Sequence, residues 1–402
     1  MTARPRVSDA VRRLHLPERR EQLGVSVREA DRHVSASLDS QVMDTTHFDT
    51  VRFPPPPWAS EAFITAAADG RNAYTPYRGS APVLESVAGE LVTRMGVLVD
   101  PEQNILISPG TQAGLFSVLS AVVSPGDRVA LFDPDYLFSE RILRFLGATV
   151  HPVPLVDSDA GLAPDLDELE RAFRAGATTV LFSHPNNPTG ALYPPHVLDG
   201  IAALVREHDA LAVVDELYAR LVYDQPFSHL VSRPGMRERC VTITGPSKTE
   251  SLSGYRIGVV VAPQAIVDAV EDVLSAMALR APAYSQHLLT RWLRDDEQFI
   301  QQRLGELRSL RDHTLQRLAE VPELRVTCPP ATAYLFVDAT ALKTPDHILA
   351  ERLVRDAGVL ISPGYQFGAR GVGSFRLCYA RDETLWDEAL TRMNNVFRKL
   401  SH

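Results

Sequence analysis

Short and almost wholly apolar runs recur along this chain, each followed by a turn and a helix-length amphipathic stretch, and this alternation limits the fold more than any other feature. Residues 104–108, 128–132, 178–183 and 211–215 are such runs, and 148–155, 241–244 and 257–261 extend the series. A strand that is apolar on both faces needs cover on both faces, which parallel strands joined through helices supply. The stretches 81–95, 110–123, 139–146, 166–175 and 194–208 have helical spacing and lie between the strands. The pattern predicts an α/β fold whose large domain carries a mostly parallel, doubly wound sheet. From about residue 300 it changes. A long helix over 298–318 precedes strands at 324–327, 333–338, 359–362 and 374–379, with helices at 347–356 and 385–399. The expected organisation is an arm over 1–50 packing on the small domain or a partner subunit, a large domain over 51–300 and a small C-terminal α+β domain over 301–402.

At 402 residues, 45% hydrophobic and 23% charged, the chain has the size and composition of a two-domain globular protein. Its formal net charge of −9 argues against nucleic acid and anionic membrane surfaces as partners. Cys240, Cys328 and Cys378 are too few and too scattered for a disulfide framework or a metal site. The first twenty residues are charged, without the apolar core of a signal peptide, and no run is long enough to span a membrane. A cytoplasmic protein is expected.

The chemistry gathers where strands end. Lys248 sits in Gly245-Pro-Ser-Lys-Thr-Glu-Ser-Leu-Ser-Gly254, whose small neighbours allow close approach, and Arg256 follows eight residues on. An amine able to form an imine, with a fixed cation nearby, suits a phosphorylated carbonyl cofactor. A lysine in a serine-rich loop is ordinarily solvated, but the rest of the chain reverses that reading. Asp215-Glu-Leu-Tyr218 directly follows an apolar strand, where a carboxylate is costly without a cationic partner such as a protonated ring nitrogen. Ser183-His-Pro-Asn-Asn-Pro-Thr-Gly190 follows another. Pro109-Gly-Thr-Gln-Ala-Gly114 opens a helix whose free N–H groups and dipole suit an anion.

In this order, Asn187-Pro-Thr-Gly190, Asp215-x-x-Tyr218 and Ser247-Lys248 with Arg256 resemble the fold-type I pyridoxal-phosphate enzymes, specifically the class I/II aminotransferases, from about Tyr74 to the C-terminus. The resemblance implies a pyridoxal-phosphate-dependent transferase-like large domain, a smaller α+β domain and a homodimer with shared sites. It implies that Lys248 holds pyridoxal 5'-phosphate as an internal aldimine and shuttles protons, that Asp215 pairs with the ring nitrogen, and that Asn187 and Tyr218 donate to the ring oxygen. Lys248, Asp215 and Tyr218 are then the catalytic set. Tyr136 stacks on the ring, and Gly110, Thr111, Gln112, Ser247 and Arg256 cradle the phosphate, with Tyr74 reaching the neighbouring subunit's phosphate. Arg376 clamps the substrate α-carboxylate, beside Asn187 and Tyr136. No metal is implied.

The chain departs from the family pattern at two places. Gly245 stands where a phosphate-binding serine is common, with Thr244 or Ser247 available to compensate. The segment 40–48 lacks the family's glycine-rich stretch, leaving Thr46 and His47 to line the site. Arg280 is either a second carboxylate receptor or a surface residue. The implied activity is transfer of an amino group between an amino acid and a 2-oxo acid in amino-acid metabolism or biosynthesis. The alternative on the same scaffold is a lyase, cyclase or oxidase.

Overall fold

The computed structural model describes residues 8–14, 42–48, 52–158 and 161–401. The strands are β1 (Met43–Asp44), β2 (Ile105–Ser108), β3 (Arg128–Asp133), β4 (Thr149–Ser158), β5 (Gly161–Pro164), β6 (Ala177–Ser183), β7 (Leu211–Asp215), β8 (Cys240–Thr244), β9 (Gly258–Val261), β10 (Tyr334–Asp338), β11 (Val359–Leu360), β12 (Ser362–Pro363) and β13 (Ser374–Cys378). The α-helices are α1 (Asp9–Arg13), α2 (Pro57–Ala68), α3 (Ala81–Met95), α4 (Thr111–Val122), α5 (Ser139–Leu146), α6 (Leu166–Arg174), α7 (Pro195–Glu207), α8 (Gln264–Met277), α9 (Ala283–Gln286), α10 (Glu297–Leu318), α11 (Asp346–Arg352) and α12 (Glu383–Leu400).

One sheet runs in the order β2-β9-β8-β7-β6-β3-β4-β5. The pairs β3–β4, β3–β6, β6–β7 and β7–β8 are parallel; β9 runs against both its neighbours, and β5 returns along β4 as a hairpin. The alternation of side chains along each strand sorts the core into two faces. Ile105, Ile107, Phe132, Val180, Phe182 and Val214 pack on one face, and Leu106, Val129, Leu131, Leu181, Val213 and Ile243 on the other. Helices cover both, which is why the strands read as continuous apolar runs.

A second sheet, β10-β13-β12, is antiparallel. Its core of Leu335, Val337, Phe375 and Leu377 packs with Leu307 of α10 and with Trp386 and Phe397 of α12. Asp382 begins α12 by accepting from the N–H groups of Thr384 and Leu385, both at 3.1 Å. The first fifty residues supply two described pieces that go to different places. Helix α1 rests on α5, where Arg13 donates to the carbonyls of Arg144 at 2.8 Å and Phe145 at 3.1 Å. Strand β1 instead pairs with β11, and Thr45 Oγ1 donates to Leu360 O at 2.7 Å.

The structure corrects three sequence expectations. Residues 324–327 form no strand; they contribute one bridge, Arg325 to Asp338, on the edge of β10 that β13 leaves free, and the chain then enters Pro329-Pro330, which carry no N–H to extend a ladder. The expected strand over 359–362 divides into β11 and β12, each with a different partner. The expected helix over 347–356 is α11 followed by a wider turn over Leu353–Ala357. Helix α8, which the alternation did not mark, buries Val267, Val270 and Leu274 at helical spacing.

Phe132 and Phe182 stack with centroids 4.6 Å apart in the middle of the large sheet, and neither is solvent-exposed. Phe182→Ala should lower unfolding stability by about 3–5 kcal/mol, because the close-packed faces cannot collapse into the space left. Denaturant titration checks this; a loss under about 1 kcal/mol would mean that this part of the core repacks freely.

Candidate active site

In an open α/β sheet, ligands sit beyond the carboxyl ends of the strands, where connections leave in opposite directions. Here β3 is flanked by β4 on one side and β6 on the other, and the chain reverses between them. A cavity of about 350 Å³ lies at this end. Thr111 and Gln112 from α4, Tyr136 after β3, Asn187 after β6, Asp215 and Tyr218 after β7, Ser247 and Lys248 after β8, Arg256, and Arg376 from β13 all line it. These ten sequence-predicted residues, drawn from both sheets, meet in one place.

One end of the cavity is built for an anion. Helix α4 presents its N-terminus there, preceded by Gly110 at φ +90°. A Cβ at Gly110 would lie 2.4 Å from Arg256 Nη2, so only glycine lets the guanidinium lie against the helix start. Arg256 is itself held in the left-handed region at φ +54°, where its Nη1 donates to Ser253 O at 2.9 Å. The buried Ser247 Oγ has no protein partner. A buried hydroxyl ordinarily has one, so an anion seated between α4 and Arg256 would complete the set. Gly245, where a serine was the family expectation, is packed tightly: a Cβ would lie 3.2 Å from both Gly258 Cα and Thr111 Cγ2. Of the two residues available to compensate, Ser247 lines the cavity.

The centre holds a carboxylate and an amine. Asp215 ends β7 and accepts from Leu217 N–H at 3.1 Å. Burial pushes its carboxyl up to about 6, against the opposing pull of that N–H and of Lys248. Tyr218 Oη donates to Tyr334 Oη at 3.2 Å, and Tyr136 Oη donates to Gln112 Oε1 at 2.9 Å. Burial raises both phenols, so each stays a neutral donor.

The other end is organised around Arg376. Its Nη1 donates to Asn187 Oδ1 at 2.7 Å and its Nη2 to Thr46 O at 2.5 Å. Tyr334 and Phe367 flank the guanidinium, 4.2 and 4.8 Å from it. The buried Nε has no protein partner. Thr46 and His47 line the cavity as the sequence suggested. Asp44 fixes them by accepting from Thr46 N–H at 2.8 Å and Thr46 Oγ1 at 2.6 Å, with His47 Nδ1 3.1 Å away. Burial pushes Asp44 up, but its bonds to His47 and Thr46 outweigh that and leave it at about 2.

Tyr74 lies outside this cavity and is 80% exposed. Arg280 also lies apart from it, its guanidinium 4.7 Å from the Tyr74 ring and 4.2 Å from the Tyr77 ring. Sequence reasoning missed Tyr334 and, more importantly, Asp135. The buried Asp135 carboxylate accepts from Ser183 N–H at 2.9 Å, Ser183 Oγ and Asn186 Nδ2 at 3.0 Å, and Tyr136 N–H at 2.7 Å. Ser183 Oγ in turn accepts from Asn187 N–H at 2.9 Å. The available signal was an acid just beyond an apolar strand, the same signal that marked Asp215.

The sequence profile of aminotransferase class I and II matches residues 46–393. An aspartate/prephenate aminotransferase of Thermus thermophilus is 30% identical over 347 residues, covering 86% of this chain and 88% of the relative. An arginine–pyruvate transaminase of Pseudomonas aeruginosa is 29% identical, covering 79% of this chain and 80% of the relative. Among solved structures, an aspartate aminotransferase from Rhodobacter sphaeroides superposes with a TM-score of 0.86 at 33% identity, covering 93% of this chain and 99% of the other.

The raised Asp215 carboxyl gives a stability prediction for the cofactor-free protein. A folded-state value of about 6 against an ordinary 3.8 means that the native state holds the proton more tightly, so stability falls as pH rises through that window. Asp135, pushed up to about 7 by burial and in part by the Asp215 charge, acts in the same direction. Above pH 6, Asp215→Asn should therefore be more stable than wild type by up to about 3 kcal/mol, with the difference vanishing below about pH 4. Thermal melts across that range are the measurement; a difference that does not vary with pH would contradict the assignment.

Proposed function

The chain belongs to the class I and II aminotransferase family and is a pyridoxal-phosphate-dependent enzyme moving amino groups between amino acids and 2-oxo acids, and we propose that the cavity described above is its active site, with Lys248 as the residue that holds the cofactor. The observation that carries this reading is a single cavity with an anion cradle at one end and Lys248 facing Asp215 at its centre. The unpartnered Ser247 hydroxyl and the Gly110–Arg256 approach fit a phosphate. When bound, pyridoxal phosphate supplies an electron-poor ring that stabilises negative charge at the substrate's α-carbon.

The residues divide the work. Gly110, Thr111, Gln112, Ser247 and Arg256 bind the phosphate. Asp215 accepts a hydrogen bond from the protonated ring nitrogen and so keeps that proton in place. Asn187 Nδ2 and Tyr218 Oη orient the ring through its oxygen, and Tyr136 closes over its face. Lys248 Nζ moves the proton at the substrate α-carbon. Arg376, with its plane set by Tyr334 and Phe367, takes the α-carboxylate and excludes water from it. The two relatives named above, an aminotransferase and a transaminase, favour this outcome over a lyase, cyclase or oxidase.

We further read the chain as a cytoplasmic homodimer acting in biosynthesis. No described helix is long and apolar enough to cross a membrane. The exposed Tyr74, stacked by Arg280, supports a second copy as the partner that completes each phosphate site. The residues of the large sheet and its helices, 51–300, would then be the cofactor domain and 301–402 the smaller one.

Amino-donor screens against 2-oxo acid acceptors should show a new amino acid without ammonia release. Borohydride should fix the cofactor's mass on the peptide carrying Lys248, and Lys248→Ala should lose about a thousandfold or more in turnover. Undiminished turnover in that variant would sink the assignment. Arg376→Lys should raise KM for the amino acid by about tenfold or more, since an ammonium cannot reproduce a planar two-point grip; equal kinetics would move the carboxylate to another cation. Mixing inactive Tyr74→Ala and Lys248→Ala proteins under demonstrated subunit exchange should restore activity, because one site of each hybrid carries neither defect. An active monomer would rule out the shared site.

A further inference from the structure

Lys248 is followed by Thr249, Glu250 and Ser251, all buried, and the turn is bent sharply enough that Ser251 takes φ +58°. A non-glycine residue in the left-handed region persists only where its surroundings hold it. Two arginines do so from opposite sides. Arg220, in the turn after Asp215 and Tyr218, donates through Nη1 to the fully buried Glu250, which also accepts from Thr249 Oγ1. The same guanidinium grips Asp296, the residue before α10, through Nη2 at 2.7 Å and Nη1 at 3.0 Å. From the other side the buried Arg303 of α10 donates through Nη1 to Ser251 Oγ at 2.6 Å and through Nη2 to Pro54 O at 2.8 Å.

The cluster therefore joins four segments: the turn after Asp215, the turn after Lys248, the head of α10, and the proline-rich stretch at 54–57. Buried ion pairs are poor sources of net stability, since desolvation offsets their attraction. Stability alone does not account for so many fixed charges here, whereas directional bonds at both shoulders of a catalytic turn have an effect on geometry. We propose that Glu250, held by Arg220, and Ser251, held by Arg303, are positioning residues that set the Lys248 amine against Asp215. Neither residue lines the cavity. Arg220 ties the amine's turn to the carboxylate's turn, so the two functional groups move together, and Arg303 references both to the long helix leading into the smaller sheet.

The proposal rests on the reading of Lys248 as the cofactor's anchor, and borohydride labelling of the wild type tests that reading separately. The positioning role is tested in Glu250→Ala, Glu250→Gln and Ser251→Ala. In the cofactor-free proteins, the rate at which an amine-acylating reagent modifies Lys248 is followed by mass spectrometry. In the loaded proteins, kcat and KM are measured apart. Ser251→Ala and Glu250→Ala should change the labelling rate and lower kcat on the order of tenfold, while KM for the amino acid, set by Arg376, stays within about twofold. Glu250→Gln, which keeps the shape and still accepts from Arg220, should recover most of the loss. Lower melting temperatures with wild-type labelling and kcat would overturn the proposal, as would a loss confined to KM. Should Glu250→Ala fail to fold, Ser251→Ala decides alone, and wild-type behaviour in it would overturn the proposal.

Discussion

A carboxylate at the inner end of a buried strand costs free energy unless a positive group is held against it, and the arrangement around Asp215 follows from that cost. β7 delivers Asp215 to the edge of the sheet, and its neighbour β8 delivers Lys248 to the same edge. The register places Asp215 beside Ile243, so the turn that begins after Thr244 rises directly next to it. Because the strands are parallel, both ends face the same way, and no long excursion is needed to bring the charges together. The carboxyl is still pushed up to about 6, which shows that Lys248 does not by itself cancel the burial. In the role proposed for Asp215, a protonated ring nitrogen would be that further cation.

The same edge carries a second buried carboxylate with a different task. Asp135 accepts four hydrogen bonds from the chain, three of them on Oδ2, and does not line the cavity. Its bonds run through Ser183 to Asn187, and Asn187 takes Arg376 on its amide oxygen. A continuous path of hydrogen bonds thus leads from the end of β3 to β13 of the other sheet. Two acids of the same type near neighbouring strand ends are placed differently: one is held by protein donors away from the cavity, and the other opens on it.

Much of this was legible in the sequence, and the boundary has a physical cause. Strand runs, the Lys248 turn, the Asp215 and Asn187 loops and the glycine before α4 are local patterns, each fixed by residues adjacent in the chain. What escaped depends on distant partners. Whether 324–327 is a strand is decided by how far it pairs along the free edge of β10, where Arg325 and Asp338 form a single bridge. The reversal of β9 leaves no trace in an apolar run of four residues, since burial on both faces looks alike in either direction. Tyr334 enters the site only because the second sheet turns one face toward the first. Asp135 could have been read by the rule that found Asp215, but its partner Ser183 lies 48 residues away.

The substrate end shows why the site needs both sheets at once. Arg376 is contributed by β13, yet its plane is fixed by Tyr334 of β10 and Phe367, its Nη1 is engaged by Asn187 from the large sheet, and its Nη2 by Thr46 of the segment after β1. That last segment is itself strapped down by Arg381, which donates to the carbonyls of Asp44 and His47. A guanidinium has five donors in one plane; Asn187 takes one, and Thr46 O and Ser362 Oγ take two more, which leaves Nε among the remaining donors. If Arg376 has the role proposed for it, the direction from which a carboxylate binds would thereby be chosen before it arrives. The arm that fixes this guanidinium would then be part of the recognition surface, although no residue of it lies near Lys248 in the chain.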